Sequence, residues 1–350
     1  MTMPSPDDAT LHAFVMAMPK AELHVHIEGT MEPELYLDIA ARNGIATPYA
    51  DAEAVRQRLR DAHDLPSFIG IYEELIAAIR SAQDFRDLAM AFFAKAQSQG
   101  VVYAEVFFDP QLHLERGIPL AAIFGGLARA RIEAEQTLGF KARYIMCFLR
   151  DRSADDALKV LRDSAPWRDE FIGIGLDNPE VDGFPDKFAA VFDEARGMGL
   201  RLTTHCDVGQ PNTVAHHWGA LDVLKVERID HGLNVLDDPK LIDAVRERRI
   251  GLTAAPTLFY TEIPGRMEYR AGAIKQLLEH GLLVSLNSDD PGMKRSLYIG
   301  DLMLRAARTV GLSRDMLVQL ARNSFVTAWL SDEERDAYLA QLETCDTAGA

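Results

Sequence analysis

Two histidines with one residue between them, His24 and His26, stand in the apolar run AELHVHIE (21–28). That spacing puts both imidazoles on the same side of an extended strand. His205 ends the run LRLTTHC (200–206), His231 lies in RIDHG (228–232), and Asp289–Asp290 close LLVSLNSDD (282–290). Imidazole nitrogens and carboxylate oxygens are a donor set that suits Zn²⁺, with Fe²⁺ and Mn²⁺ as alternatives. A lone histidine at a strand end is ordinarily a satisfied polar residue. An HxH pair, two further strand-end histidines and a DD pair together point to a metal centre, and zinc with an open position activates water.

These residues need a scaffold that gathers strand ends. Apolar or β-branched runs recur at 21–28, 101–109, 142–149, 171–177, 200–206, 228–232, 250–256 and 282–290. Stretches of helical period separate them, including 120–139, 184–199 and 271–281, several closed by glycine. Parallel strands need such crossovers, and eight units favour a closed (β/α)₈ TIM barrel, whose chemistry sits at the C-terminal ends of the strands. Residues 29–100 must then hold extra helices between the first two strands, and residues after 291, including 312–330, further C-terminal helices.

A 350-residue chain without Pro/Gly/Ser-rich linkers reads as one domain over 1–350. A hydrophobic share of 48% supports a sizeable core. A net charge of −16 with no dense Lys/Arg run argues against nucleic acid and anionic membranes as partners. The cysteines Cys147, Cys206 and Cys345 form no CxxC pair, which fits a reducing, cytoplasmic setting. The first twenty residues lack the basic start and apolar core of a signal peptide, and no apolar run reaches membrane-spanning length.

The stretches PKAELHVHIEGTMEPELY (19–36), VVYAEVFFDPQLH (101–113), GIGLDNPE (173–180), ERIDHG (227–232) and SLNSDDP (285–291) resemble the adenosine/adenine deaminase family of the amidohydrolase superfamily. The FFDPQ and IEGT forms are more similar to the adenine deaminase subgroup. The resemblance implies one Zn²⁺ per chain held by His24, His26, His205 and Asp289, with His231 orienting and deprotonating the attacking water. It implies that Asp290 holds a ring nitrogen of the substrate. Asn178 stands where adenosine deaminases place a glycine whose backbone N–H contacts the purine, and Asp177 precedes it at the strand end. The expected partner is a small heterocyclic amine, and a homo-oligomer is left open.

The pattern breaks after His205. The family has a glutamate three residues on, which protonates the ring, whereas this chain reads His205-Cys206-Asp207-Val208. Three readings follow. Asp207 replaces the glutamate, since a continuing strand turns it to the side of His205. Another acid near the mouth supplies the proton, or the substrate does not need it; Glu28, Asp109, Asp177 and Glu180 are the acids to consider. Alternatively the chain hydrolyses a different C–N bond or binds metal and purine without turnover. A second departure is TAAPTLFYTEIPGR (253–266), where Phe259 and Tyr260 either line a pocket or pack in the core. His113 follows the second strand as a further pocket candidate; His216, His217 and His280 read as structural, and Cys206 as core.

Overall fold

The computed structural model describes residues 6–181, 183–206, 212–257 and 265–348. Eight parallel strands form one sheet in the order of the sequence: β1 (Lys20–Glu22), β2 (Val101–Phe108), β3 (Lys141–Leu149), β4 (Gly173–Asp177), β5 (Arg201–Cys206), β6 (Arg228–His231), β7 (Gly251–Ala254) and β8 (Leu283–Leu286). The sheet closes on itself beyond the ends of β8 and β1. Val25 bridges Asp289 in parallel, and the His26 and Asp289 amides donate to the Asp289 and His24 carbonyls at 3.0 and 2.9 Å. The expected TIM barrel is therefore the fold, and the closing seam runs through two of the histidines and an aspartate of interest.

Most expected elements hold with shorter ends, whereas the 271–281 helix begins earlier, at Arg266, and the 142–149 strand at Lys141. The 21–28 run makes a ladder only at Lys20–Glu22 and single bridges at Val25 and His26, then tightens into a 3₁₀ turn over Glu28–Thr30. The expected 184–199 helix begins at Ala189, because Pro185 cannot donate a backbone hydrogen bond and the chain enters through a 3₁₀ turn at Asp186–Phe188. The stretch between β1 and β2 holds the helices Pro33–Arg42, Ala52–Arg60, Leu65–Ile76 and Ala82–Gln97. Helix Leu65–Ile76 starts in a capping box in which the Asp64 carboxylate accepts from the Ser67 amide at 2.9 Å and the Ser67 hydroxyl accepts from the Asp64 amide at 3.1 Å.

The main core runs from Phe14 to Leu342, between the barrel wall and its helices. Inside the barrel, Phe107, Ile145 and Cys147 form a small apolar plug with Trp329 packed against it. The C-terminal helices close the N-terminal end of the barrel. The Asn323 amide donates to the Val284 carbonyl at 2.9 Å, the Ala21 amide donates to the Ser324 hydroxyl at 2.9 Å, and the Trp329 ring lies 4.2 Å from the Arg228 guanidinium. With one end plugged, the open end lies where the strands stop. No helix among the described residues is long and apolar enough to cross a membrane.

Candidate active site

Alternation along the first strand turns His24 and His26 inward while Leu23, Val25 and Ile27 join the surrounding core. Their rings, with that of His205, sit on Phe107, at centroid distances of 5.4, 5.1 and 5.3 Å. Backbone carbonyls fix the tautomers of His24 and His205. His24 Nδ1 lies 2.7 Å from the Thr253 carbonyl and His205 Nδ1 2.8 Å from the Leu176 carbonyl. A carbonyl only accepts, so each Nδ1 carries the proton and each Nε2 presents a lone pair.

Those two Nε2 atoms face each other at 3.1 Å, and His26 Nε2 is also 3.1 Å from His205 Nε2. Lone pairs at this distance repel unless a cation lies between them. Tetrahedral zinc with nitrogens at about 2.0–2.1 Å sets neighbouring nitrogens roughly 3.3 Å apart. Asp289 Oδ1 lies 3.8 Å from both His24 Nε2 and His26 Nε2 and supplies a fourth donor. The donor set and its spacing fit zinc. Burial, the largest influence, holds His24 below its ordinary pKa and His205 well below it, so both rings stay neutral as metal ligands must.

A second layer fixes this set. Asp230 accepts from the Thr203 and Thr253 hydroxyls at 2.8 and 2.7 Å and lies 3.6 Å from His205 Nδ1. Glu22 accepts from the Ser288 amide and hydroxyl, both at 3.0 Å, immediately before Asp289. Lys294 sends its ammonium to Asp289 Oδ2 at 2.7 Å and Asp290 Oδ2 at 2.9 Å. Burial opposes the charge on Lys294, but the two carboxylates outweigh it and raise its pKa. Burial also pushes Asp290 up to about 6, although Lys294 pulls it down. None of Asp230, Glu22 and Lys294 is singled out from sequence, although Asp230, within RIDHG, and Glu22, within AELHVHIE, sit in motifs that could have drawn attention.

Three further carboxylates, Glu28, Asp109 and Asp177, gather beside His26, whose Nδ1 is 3.5 Å from Asp177 Oδ2. Glu28 accepts from the Asp109 amide at 3.2 Å and faces His113 Nε2 at 2.8 Å. Arg116 donates to His113 Nδ1, so the His113 proton sits on Nε2 and is donated to Glu28. His113 is fully buried and bridges Arg116 to Glu28, which it orients. Burial and then Asp177 push Asp109 well above the carboxylate range, and burial raises Asp177 to about 7. Asp109 and Asp177 are arranged to share a proton.

The strand ends turn sharply at the chemistry. Asn178, His231 and Asp289 adopt left-handed conformations, with φ of 65°, 63° and 68°, a geometry that costs energy and concentrates at functional sites. At Asn178 it explains a position suited to glycine. Its side chain donates to Asp151 at 3.2 Å and its carbonyl accepts from Arg150 Nε at 2.6 Å. Asp290 packs on Gly29, where a Cβ would fall 1.9 Å from Asp290 Oδ1. Gly29→Ala is therefore expected to displace Asp290 and lower kcat/KM about a hundredfold, with zinc content unchanged. Steady-state kinetics with metal analysis checks both parts.

Glu180 pairs with His216 Nδ1 at 2.5 Å and lies 3.7 Å from Arg150 Nη1. His216 and His217 lie on the helix Thr213–Gly219 and belong to none of the metal-competent groups among the described residues, and Cys206 is buried in the core. Asp207, Val208, Phe259 and Tyr260 lie outside the described residues.

The family model described as adenosine deaminase matches residues 19–345. The chain is 44% identical to an adenine deaminase of Streptomyces coelicolor over 94% of its own length and 96% of the relative's. It is also 44% identical to an uncharacterized deaminase of Schizosaccharomyces pombe over 97% and 98% of the two chains. Among solved structures, the adenine deaminase of Arthrobacter aurescens matches with a TM-score of 0.87 and 35% identity, covering 94% of this chain and 99% of that one. An amidohydrolase of Burkhoderia ambifaria with bound Zn matches with a TM-score of 0.87 and 26% identity, covering 100% and 96%. A barrel whose strand ends carry this imidazole and carboxylate set, matched along nearly its whole length, belongs to the adenosine deaminase family.

Proposed function

We propose that this protein is a metal-dependent aminohydrolase that deaminates adenine, adenosine or a related aminopurine and releases ammonia. The observation that carries the reading is the facing pair of Nε2 lone pairs on His24 and His205, flanked by His26 and Asp289. These four residues would hold one zinc ion. Bound there, zinc would activate water for attack on the ring carbon that bears the exocyclic amine.

The remaining steps fall to the chain itself. His231, kept neutral by burial, accepts the proton of the attacking water. Asp290 fixes the ring against the mouth, with the Asn178 backbone and Asp177 at the neighbouring strand end. Breaking the amidine character of the ring also needs a proton on a ring nitrogen. The chain is a family member without a glutamate three residues after His205, and Asp207 is the substitute acid in this reading. Asp207→Ala is expected to lower turnover by more than about tenfold, the lower range for a positioned acid being larger still. A smaller fall assigns the proton to the Asp109–Asp177 pair, which is poised to hold one beside His26.

The direct test is zinc-loaded protein screened against adenine, adenosine, N6-substituted adenines, cytosine and pterins, with ammonia release followed. Turnover of an aminopurine is the expected result. Activity on none of them, with zinc bound, would remove the deaminase reading in favour of another C–N hydrolysis or of a binding protein.

A further inference from the structure

Beneath the metal-competent cluster the barrel interior carries a second set of charges, which the proposed reaction does not use. Arg228 and Asp230 alternate on β6 with Ile229, which joins the surrounding core, so both charged side chains enter the barrel. Glu105 enters from β2, and all three are fully buried. Arg228 Nη1 donates to Glu105 Oε2 at 2.6 Å, and its Nε lies 3.8 Å from Asp230 Oδ1. The Trp329 ring covers the guanidinium at 4.2 Å, while the Trp329 amide and the Tyr103 hydroxyl donate to Glu105 Oε1 at 2.5 and 3.0 Å. Trp329 reaches this place because β4 presents Gly173 to it, where a Cβ would fall 2.7 Å from the ring.

As a stabilising device this arrangement is inefficient. A buried ion pair offsets its desolvation only when its hydrogen-bonding groups are used, and apolar side chains of similar volume often stabilise as well. Arg228 Nε and Nη2 have no hydrogen-bond partner among the described residues. What the cation does face is Asp230, and no other arginine or lysine among the described residues comes within 4 Å of that carboxylate. Asp230 Oδ1 accepts from the Thr253 hydroxyl, which holds the residue whose carbonyl receives the His24 Nδ1 proton. Asp230 Oδ2 accepts from the Thr203 hydroxyl and lies 3.6 Å from His205 Nδ1. Asp230 thus stands behind two of the ligand imidazoles. Groups in that position orient a ligand and raise its basicity toward the metal.

We propose that Arg228 is a positioning residue of the metal centre: its charge holds the Asp230 carboxylate against Thr203, Thr253 and His205 and thereby sets the affinity for zinc. Glu105 and Trp329 hold Arg228 in turn, so the segment that closes the N-terminal end of the barrel supports the metal site at the other end. The inference rests on the zinc-ligand reading above and adds to it the group that steadies the ligands from below.

The test measures zinc dissociation constants by chelator competition on wild type, Arg228→Lys, Arg228→Gln and the pair Arg228→Met with Glu105→Gln, with circular dichroism to confirm folding. Arg228→Gln keeps a donor for Glu105 and a planar group beside Trp329 but no charge, and it should bind zinc roughly tenfold to a hundredfold more weakly. Arg228→Lys keeps the charge and should stay within about threefold of wild type. The paired change removes cation and carboxylate together, so it reads the same loss without leaving Glu105 unpaired should Arg228→Gln not fold. In an Asp230→Asn background Arg228→Gln should cost less than about threefold, because the group it acts through has gone. Wild-type zinc affinity in either neutral variant overturns the proposal, since a merely structural arginine would lower stability and leave the affinity of the folded protein unchanged. Equal losses in the lysine and glutamine variants overturn it too, as does full additivity with Asp230→Asn. Wild type that holds no zinc defeats the ligand reading itself, whereas zinc-binding wild type with an unmoved Arg228→Gln defeats the role of Arg228 alone.

Discussion

His24→Ala is expected to purify with almost no zinc and to lose more than about a thousandfold in kcat/KM. The magnitude follows from losing the several kcal/mol that a bound metal contributes to the transition state, at 1.36 kcal/mol per tenfold. His24 is chosen because its Nε2 is close to both His205 Nε2, at 3.1 Å, and Asp289 Oδ1, at 3.8 Å. Removing it opens one corner of the donor set and leaves three ligands. The barrel should survive the change, since the parallel ladders use backbone groups and the Phe107 plug remains beneath. Metal analysis after dialysis, paired with circular dichroism, checks the expectation. Full zinc occupancy in a folded His24→Ala protein would mean that the ligand set has been drawn wrongly.

The site was legible where a regular period carries the information. HxH on an alternating strand places two imidazoles together, and strand-end positions bring His205, His231 and Asp289 to the same mouth. What escaped depends on geometry that has no period. Lys294, in PGMKRS, reads as a surface lysine, yet the turn after β8, with Asp289 left-handed at a φ of 68°, brings its ammonium back onto the aspartates. The acid at Glu28 was visible, but its support from His113 and Arg116 joins residues separated by 85 positions. Asn178 was readable as a departure from glycine. The direction of its side chain, toward Asp151, was not, because Asp151 comes from the neighbouring strand's loop. The early end of the first strand had a similar cause: pairing of Val25 with Asp289 across the closing seam is a long-range event that local propensity does not encode.

His231→Asn should keep its zinc and lose about a hundredfold to ten-thousandfold in kcat/KM, the usual range for a general base. Asparagine is the informative replacement. The His231 backbone has a φ of 63°, and asparagine tolerates this left-handed conformation far better than alanine does. Gly232 continues the turn with a φ of 70° and packs so closely that a Cβ would lie 2.8 Å from Leu252 Cδ2. The local fold therefore demands a residue that accepts this turn, and a variant that resists it would confuse a folding defect with a chemical one. Burial, and then the neighbouring His24, hold the His231 imidazole well below its ordinary pKa, so the neutral, proton-accepting form is the one present. Its Nε2 stands 4.0 Å from Asp289 Oδ2, beside the metal-competent cluster. The same closeness admits a competing assignment, because His24, His231 and Asp289 are themselves near enough to share a cation. Zinc content separates the two roles: retention with lost turnover is the behaviour of a base, whereas joint loss of zinc and turnover would move His231 into the ligand set.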